Sequence, residues 1–379
     1  MKLLFWQWNA FMQKGMERGL KNLSIPYEVL SYIPKDWESD PFMEAALQSA
    51  WEKDNFDGIL SVNFCPIVSD FCEAKKVPYY SWIYDSPLHL RNLRSLGNFW
   101  NRVYDFDRGQ VEEFHRMGYG GVKYLPLAAD PEVFLPNSDG RDPSYVTDIA
   151  FLGKLYQSEY AYLSAPLDQW HRGKLEGMVS AQQVVPSGFI LDHLLTDAWM
   201  EECNAFYQEK SNQTVKVSKE EMLYTCACEA TGRNRKMALA LLSNRFRVDL
   251  YSADEPQGLS AINSHGYVDY YGKMPKVFAN AKINLNISLC NIRTGIPLRV
   301  LDIMACGGFV ITNMQEEIWE YFTPGEDIVV YENLGDLVNL CQYYLTHEEE
   351  RRRIAYAGQQ KIKECFTFER GLREILGLV

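Results

Sequence analysis

No stretch of this chain is apolar for long enough to cross a membrane. The opening run Met1-Lys2-Leu3-Leu4-Phe5-Trp6 gives way to Gln7 and Asn9, too soon for a signal-peptide core and suited to a first β-strand. Positive charge is also in short supply, with 38 Lys and Arg against 50 Asp and Glu and a formal net charge of −12. Such a surface repels nucleic-acid backbones and anionic lipid, so neither is expected as a partner. A phosphorylated ligand would need a local cationic pocket. Metal-type clusters are lacking as well. The nine cysteines are odd in number, and Cys65, Cys72, Cys306 and Cys341 lie in apolar runs. Cys226 and Cys228 form the one close pair, with no second pair or His cluster to complete a zinc set. Reduced, buried thiols in a cytoplasmic protein are the expectation. On the reading that no strand end carries a DxD-type carboxylate pair, no bound metal is expected.

What is present fits a two-domain soluble protein. The 379 residues are too many for one typical core, and 47% hydrophobic with 23% charged residues is an ordinary globular balance. Aromatic residues reach 13%, enough for stacking surfaces beside the core. The first third alternates short apolar runs with helical stretches, the pattern of an α/β parallel sheet. Strands are expected at 2–8, 26–32, 57–62, 78–84, 101–106 and 121–127, with a helix from Gly15 to Leu20. Segment 127–147 contains Pro131, Pro136, Gly140 and Pro143 and reads as a linker. A second series follows, with strands at 148–153, 245–251, 266–271, 282–288, 308–312 and 327–331 and helices over 334–345, 348–364 and 367–377. Segment 156–230 breaks the alternation and reads as a helical insertion. The expected division is therefore 1–140, 146–365 with that insertion, and a closing helix at 366–379 whose Phe368, Leu372 and Leu376 form an apolar face. Two such domains would leave a cleft between the carboxyl ends of two sheets, where open α/β sheets bind ligands.

Segment 281–313 carries the most chemistry. It reads as strand, glycine turn, helix and strand, with Thr294-Gly295-Ile296-Pro297 opening a helix from Leu298 to Ala305. Proline suits the entry to a helix, and amide groups left free there suit a diphosphate. Arg299 adds charge in the first turn, and Asp302, three residues on, shares its face. Spacing alone leaves two readings open. Asp302 accepts the hydroxyls of a ribose, or it pairs with Arg299 on a solvated surface.

The block resembles the nucleotide-binding motif of GT-B glycosyltransferases, in which two Glu eight positions apart precede a Met-Ala-Cys-Gly-like end. Asp302-Ile303-Met304-Ala305-Cys306-Gly307 matches the second half with Asp for Glu, and Thr294 stands where the first Glu falls. The chain more closely resembles the CgeB-like, spore-maturation group of these enzymes and their relatives. That resemblance rests on Gly295-Ile296-Pro297-Leu298-Arg299-Val300, Ala305-Cys306-Gly307-Gly308-Phe309, Tyr124 to Pro131 and Asp148 to Gly153. It also rests on Val268-Asp269-Tyr270-Tyr271 and Lys282 to Ile287, all in family order. It implies a GT-B fold of two Rossmann-like domains. It also implies metal-independent transfer of a sugar from a nucleoside diphosphate sugar, uridine diphosphate by preference, to a protein or glycan acceptor. Retention of configuration is favoured over inversion, and no cofactor beyond the nucleotide-sugar substrate is implied. A sugar-nucleotide 2-epimerase and a binding protein without catalysis are the rival readings.

The remaining candidates follow from both lines of reasoning. Lys154, after the glycine ending the first strand of the second domain, is expected at the diphosphate. Arg233, Arg235 and Lys236 are expected at the start of a helix as further cations for the donor phosphates, with Arg235, which matches a basic position of the family, ranked above Arg233. Val268, Tyr270 and Tyr271 are expected to read the base. In the N-terminal half, Trp82-Ile83-Tyr84-Asp85-Ser86-Pro87 resembles a family Trp-x-x-Asp-x-Pro. Asp85 and His89 are the candidate catalytic groups there, capping of a helix being the alternative for Asp85. Asn9 and Phe11 are expected to line the acceptor side.

Overall fold

The computed structural model describes residues 1–130, 142–185 and 187–378. Pro131, Pro136 and Gly140 of the expected linker lie outside the described residues. The chain forms two compact units. One comprises Met1–Leu135, Arg293–Cys306 and Gln359–Val379, the other Pro136–Ile292 and Gly307–Gly358. This departs from the linear division, because the Leu298–Ala305 helix and the C-terminal residues group with the first unit.

The first unit is built on a parallel sheet in the order β2-β1-β3-β4-β5-β6. Its strands are β1 (Leu3–Gln7), β2 (Tyr27–Ser31), β3 (Gly58–Val62), β4 (Tyr79–Ile83), β5 (Asn101–Asp105) and β6 (Lys123–Tyr124). β3 and β4 are buried along their whole length, which is why they read as apolar runs, broken only by Ser61 and Ser81, rather than alternating ones. Helix entries follow local rules. Asp40 accepts from the amides of Phe42 and Met43 ahead of the Pro41–Trp51 helix, and Pro66 opens the Pro66–Lys75 helix. The Phe368–Ile375 helix packs closely on the Gln13–Asn22 helix because small residues let it in. A Cβ at Gly15 would fall 2.1 Å from the Phe368 ring, and one at Gly371 2.2 Å from the Trp82 ring. β6 is shorter than its expected 121–127. Leu127, Ala128 and Ala129, expected in the linker, are buried instead, and the Ala129 amide donates to the Phe366 carbonyl.

The second unit repeats the plan, with a parallel sheet in the order β12-β11-β10-β7-β8-β9. The strands are β7 (Ile149–Leu152), β8 (Val248–Tyr251), β9 (Asn263–Ser264), β10 (Ile283–Asn286), β11 (Val310–Asn313) and β12 (Val329–Tyr331). Order reverses between β7 and β10, the place where such sheets open toward a ligand. The strand expected at 266–271 is coil. Gly266 sits at φ +70°, and the Asp269 carboxylate accepts from the amides of Gly272 and Lys273, turning the chain into the Lys273–Asn280 helix. The insertion is helical, with Gln169–Gln183 and Asp197–Lys210 capped by Asp168 and Thr196. It has its own core around Leu175, Val179, Leu191, Trp199, Cys203 and Met222. After a turn over 211–218 the chain enters the Lys219–Ser243 helix, and the expected end of the insertion at 230 falls inside that helix. Arg233, Arg235 and Lys236 therefore sit deep in a 25-residue helix and not at the start of one. Gly232 permits this, since a Cβ there would meet the Leu155 carbonyl oxygen at 2.8 Å and the Tyr156 one at 2.9 Å. Among the described residues no helix is long and apolar enough to cross a membrane.

Candidate active site

In the first unit the carboxyl ends of β1, β3, β4 and β5 carry Asn9, Asn63, Asp85 and Asp107 side by side along the sheet. Asn63 is the organiser. It holds φ +61°, a left-handed conformation that Asn tolerates better than most residues, and its Oδ1 accepts from the Tyr84 amide at 2.9 Å. Its Nδ2 donates to Asp85 Oδ2 at 2.6 Å. No helix follows Asp85, so capping is not its role. Surrounding protein nevertheless crowds Asp85 and His89. Burial raises the Asp85 carboxyl above its ordinary range, opposed by the Asn63 hydrogen bond and by nearby His89. Burial lowers the His89 pKa, opposed by Asp85. Both residues remain reachable by water, so solvent screening limits what these shifts are worth in energy. The Trp8 ring stacks on Tyr84 at 6.3 Å, and Phe11, 45% exposed, meets Tyr84 edge-on. Together they form an aromatic shelf next to Asp85. Trp82 is not part of it, being fully buried against Phe368.

Asp107 is the residue that sequence reasoning missed. Asp105-Phe106-Asp107 is a DxD pair at a strand end, which corrects the expectation that none exists, and both carboxylates are fully buried. Asp105 accepts from the Asp107 amide and from the Gln110 side chain. Asp107 accepts from the amides of Arg293 (2.7 Å), Thr294 (2.9 Å) and Gly295 (3.3 Å), and from the hydroxyls of Ser86 and Thr294. The glycine turn thus wraps a carboxylate of its own chain. Its amides, expected to be open to a diphosphate, are engaged here. Gly295 is required for the approach, since a Cβ there would lie 2.8 Å from the Phe106 ring. Thr294, in the place of the family's first Glu, donates to Asp107 and accepts from the Gly109 amide at 2.9 Å. Ile296 is buried beside the turn. Asp302 is 1% exposed, which rules out a solvated surface pair with the half-buried Arg299.

In the second unit Lys154 and Arg235 meet at the switch point. The buried Arg235 guanidinium donates to the Lys154 carbonyl at 2.6 Å and, through Nε, to the Ile287 carbonyl at 3.0 Å, while Tyr156 covers its face at 4.6 Å. This geometry makes Arg235 a clamp between the ends of β7 and β10. Its neighbour Arg233 is held by Glu176 and Glu229. The Lys154 side chain is exposed. Val268 and Tyr270 are buried in the coil after β9, with Tyr271 half-buried and edge-on to Tyr270 at 4.8 Å. Arg235→Ala is expected to cost about 2–4 kcal/mol in chemical denaturation, by orphaning two buried carbonyls. Arg235→Lys should not rescue it, because a compact ammonium lacks the planar fork.

Residues 232–377 match a family model described as glycosyl transferase-like. No curated protein matches the chain in sequence. Several solved structures match over the whole length. HepE from Anabaena in complex with UDP-glucose is 12% identical with a TM-score of 0.57, covering 100% of both chains. Sucrose-phosphate synthase from Thermosynechococcus elongatus is 11% identical with a TM-score of 0.60, again over 100% of both. T4 phage BGT in complex with its UDP-glucose substrate is 8% identical with a TM-score of 0.52 over 99% of both. At this identity the likeness is one of fold. Two parallel-sheet, Rossmann-like units with flanking helices are the fold of the GT-B glycosyltransferases.

Proposed function

We propose that this protein is a glycosyltransferase that moves a sugar from a nucleoside diphosphate sugar to a protein or glycan acceptor. The observation that carries the reading is the GT-B fold joined to the glycosyl transferase-like match over 232–377. Bound UDP-glucose in two proteins of the same fold supports a uridine diphosphate sugar as donor. The finer CgeB-like resemblance rests on the ordered motifs alone. Lys154, exposed at the switch point of the second sheet, is assigned to the diphosphate, and the Val268–Tyr271 coil to the base. The motif, and not a geometry, assigns Ile296 and Arg299 to the diphosphate and Asp302 to the ribose, the amides of Thr294 and Gly295 being taken by Asp107. Asp85 is assigned to the acceptor, as a base in an inverting reaction or as an orienting group in a retaining one.

The test is donor binding followed by transfer. UDP and UDP-glucose should raise the melting temperature, as any ligand of the folded state does. Lys154→Ala should weaken UDP by about 1.5–3 kcal/mol, the scale of a charge-assisted hydrogen bond, and leave uridine affinity nearly unchanged. Equal losses for both ligands would remove Lys154 from the diphosphate. Transfer is expected to continue in excess EDTA, and a collapse restored by manganese would overturn the metal-independent reading. Binding without transfer or donor hydrolysis would mark a binding protein, and release of an epimerised sugar nucleotide would mark a 2-epimerase.

A further inference from the structure

The second unit holds a cavity of about 520 Å³ that shares no residue with the donor positions assigned above. It lies at the carboxyl ends of β10, β11 and β12 and is closed by two helices, the end of Gln169–Gln183 and the middle of Lys219–Ser243. The volume falls within the range of about 300–1,000 Å³ typical of small-molecule pockets. The insertion helices that interrupt the α/β alternation build one of its walls, so the cavity belongs to the part of the chain that the shared architecture does not require.

Its lining has a distinct chemistry. Among the described residues no Lys, Arg or His contributes to it, and Glu332 is the one acidic side chain. The other polar groups are neutral amides and hydroxyls, including Gln183, Thr231, Asn234, Ser288 and Gln315. A phosphate or carboxylate would enter without a counter-charge, which low-dielectric surroundings penalise. Hydroxyl groups, which both donate and accept, match amides and a carboxylate without that penalty. Tyr331 and Val184 supply apolar surface for the C–H face of a ring. One polar group is also left over. Gln315 is 4% exposed, and its Oε1 has no hydrogen-bond partner in the folded chain. A buried acceptor in that state destabilises the folded chain and is relieved by a ligand hydroxyl.

We infer that this cavity binds a neutral saccharide unit, at a site separate from that of the donor nucleotide. The inference does not depend on the transferase reading, since the lining chemistry stands whether or not UDP binds elsewhere. Ligand-observed NMR and calorimetry on the full chain would use glucose, galactose, mannose, N-acetylglucosamine and maltose as probes, each with and without UDP. Glucose 6-phosphate and uridine serve as controls. At least one neutral sugar is expected to bind, with an affinity that UDP leaves within about twofold, and glucose 6-phosphate at least about tenfold more weakly than glucose. Gln315→Ala and Val184→Trp should each weaken the neutral sugar about tenfold. Val184 is 81% exposed at the cavity wall, so the tryptophan blocks the space without disturbing the core and decides the matter if Gln315→Ala unfolds. Silence from all five sugars overturns the site, as does displacement by UDP or uridine. So do unchanged affinities in a folded Val184→Trp protein.

Discussion

Asp85→Asn is expected to lower turnover by about 10²–10⁴-fold, the contribution of a positioned acid–base group, while UDP affinity shifts by less than about 0.5 kcal/mol. The reason lies in how the carboxylate is held. Asn63 fixes one oxygen at 2.6 Å, the Trp8–Tyr84 shelf stands beside it, and surrounding protein disfavours its charge. Such a group takes up a proton more readily than an ordinary carboxylate, whose pKa is about 3.9. Only the ionised form can accept the proton of an acceptor hydroxyl. Activity should therefore rise with pH through a value above that range, and the limb should vanish in Asp85→Asn. Asn63→Ala removes the hydrogen bond that favours the charged form, so it should move the limb to still higher pH while Asp85 remains. Steady-state kinetics over a pH series, with circular dichroism as a folding control, reads both effects. A normal turnover in Asp85→Asn ends the acceptor-side assignment. A loss of UDP binding shows that Asp85 serves the donor instead.

Asp107→Ala is expected to cost about 3–5 kcal/mol of stability, among the largest values a single substitution produces. The carboxylate is fully buried and collects three amides and two hydroxyls, and alanine leaves all five donors without an acceptor. Asp107→Asn should cost less, because it keeps one acceptor oxygen, but its amide nitrogen faces donors. Thr294→Val removes a hydroxyl that both donates to Asp107 and accepts from Gly109, so it should be non-additive with Asp107→Ala. Denaturant midpoints on the three single variants and the Asp107→Ala, Thr294→Val pair measure this. A loss under about 1 kcal/mol for Asp107→Ala would mean that the turn does not depend on this carboxylate. Additive effects would separate Thr294 from it.

Much of the architecture was legible because it is written in local patterns. Buried parallel strands appear as short apolar runs, so β1, β3, β4 and β7 fall inside their expected segments. Helix starts at Leu298 and Phe368 follow a proline and a threonine that the sequence displays. The coil over 266–271 was misread because alternation of Tyr and Val mimics a strand, while the Asp269 turn that breaks it depends on two later amides. Arg235 was read as a ligand for phosphate because it is a cation at a basic position of the family. Its use as a clamp depends on carbonyls 81 and 52 residues away in the chain.

By itself, then, the sequence determined the two parallel α/β units, the helical insertion between β7 and β8, and the motif that points to sugar-nucleotide chemistry. Each of these follows from hydrophobic periodicity, helix-entry residues or residue order, and none needs distant contacts. Only the tertiary structure decided that Asn63 holds Asp85, that Asp107 grips the glycine turn from 187 residues away, and that a cavity lined by amides, hydroxyls and Glu332 opens beside β12. Polar groups are interchangeable in a linear chain. Their partners are chosen when folding removes water and each buried donor must find an acceptor.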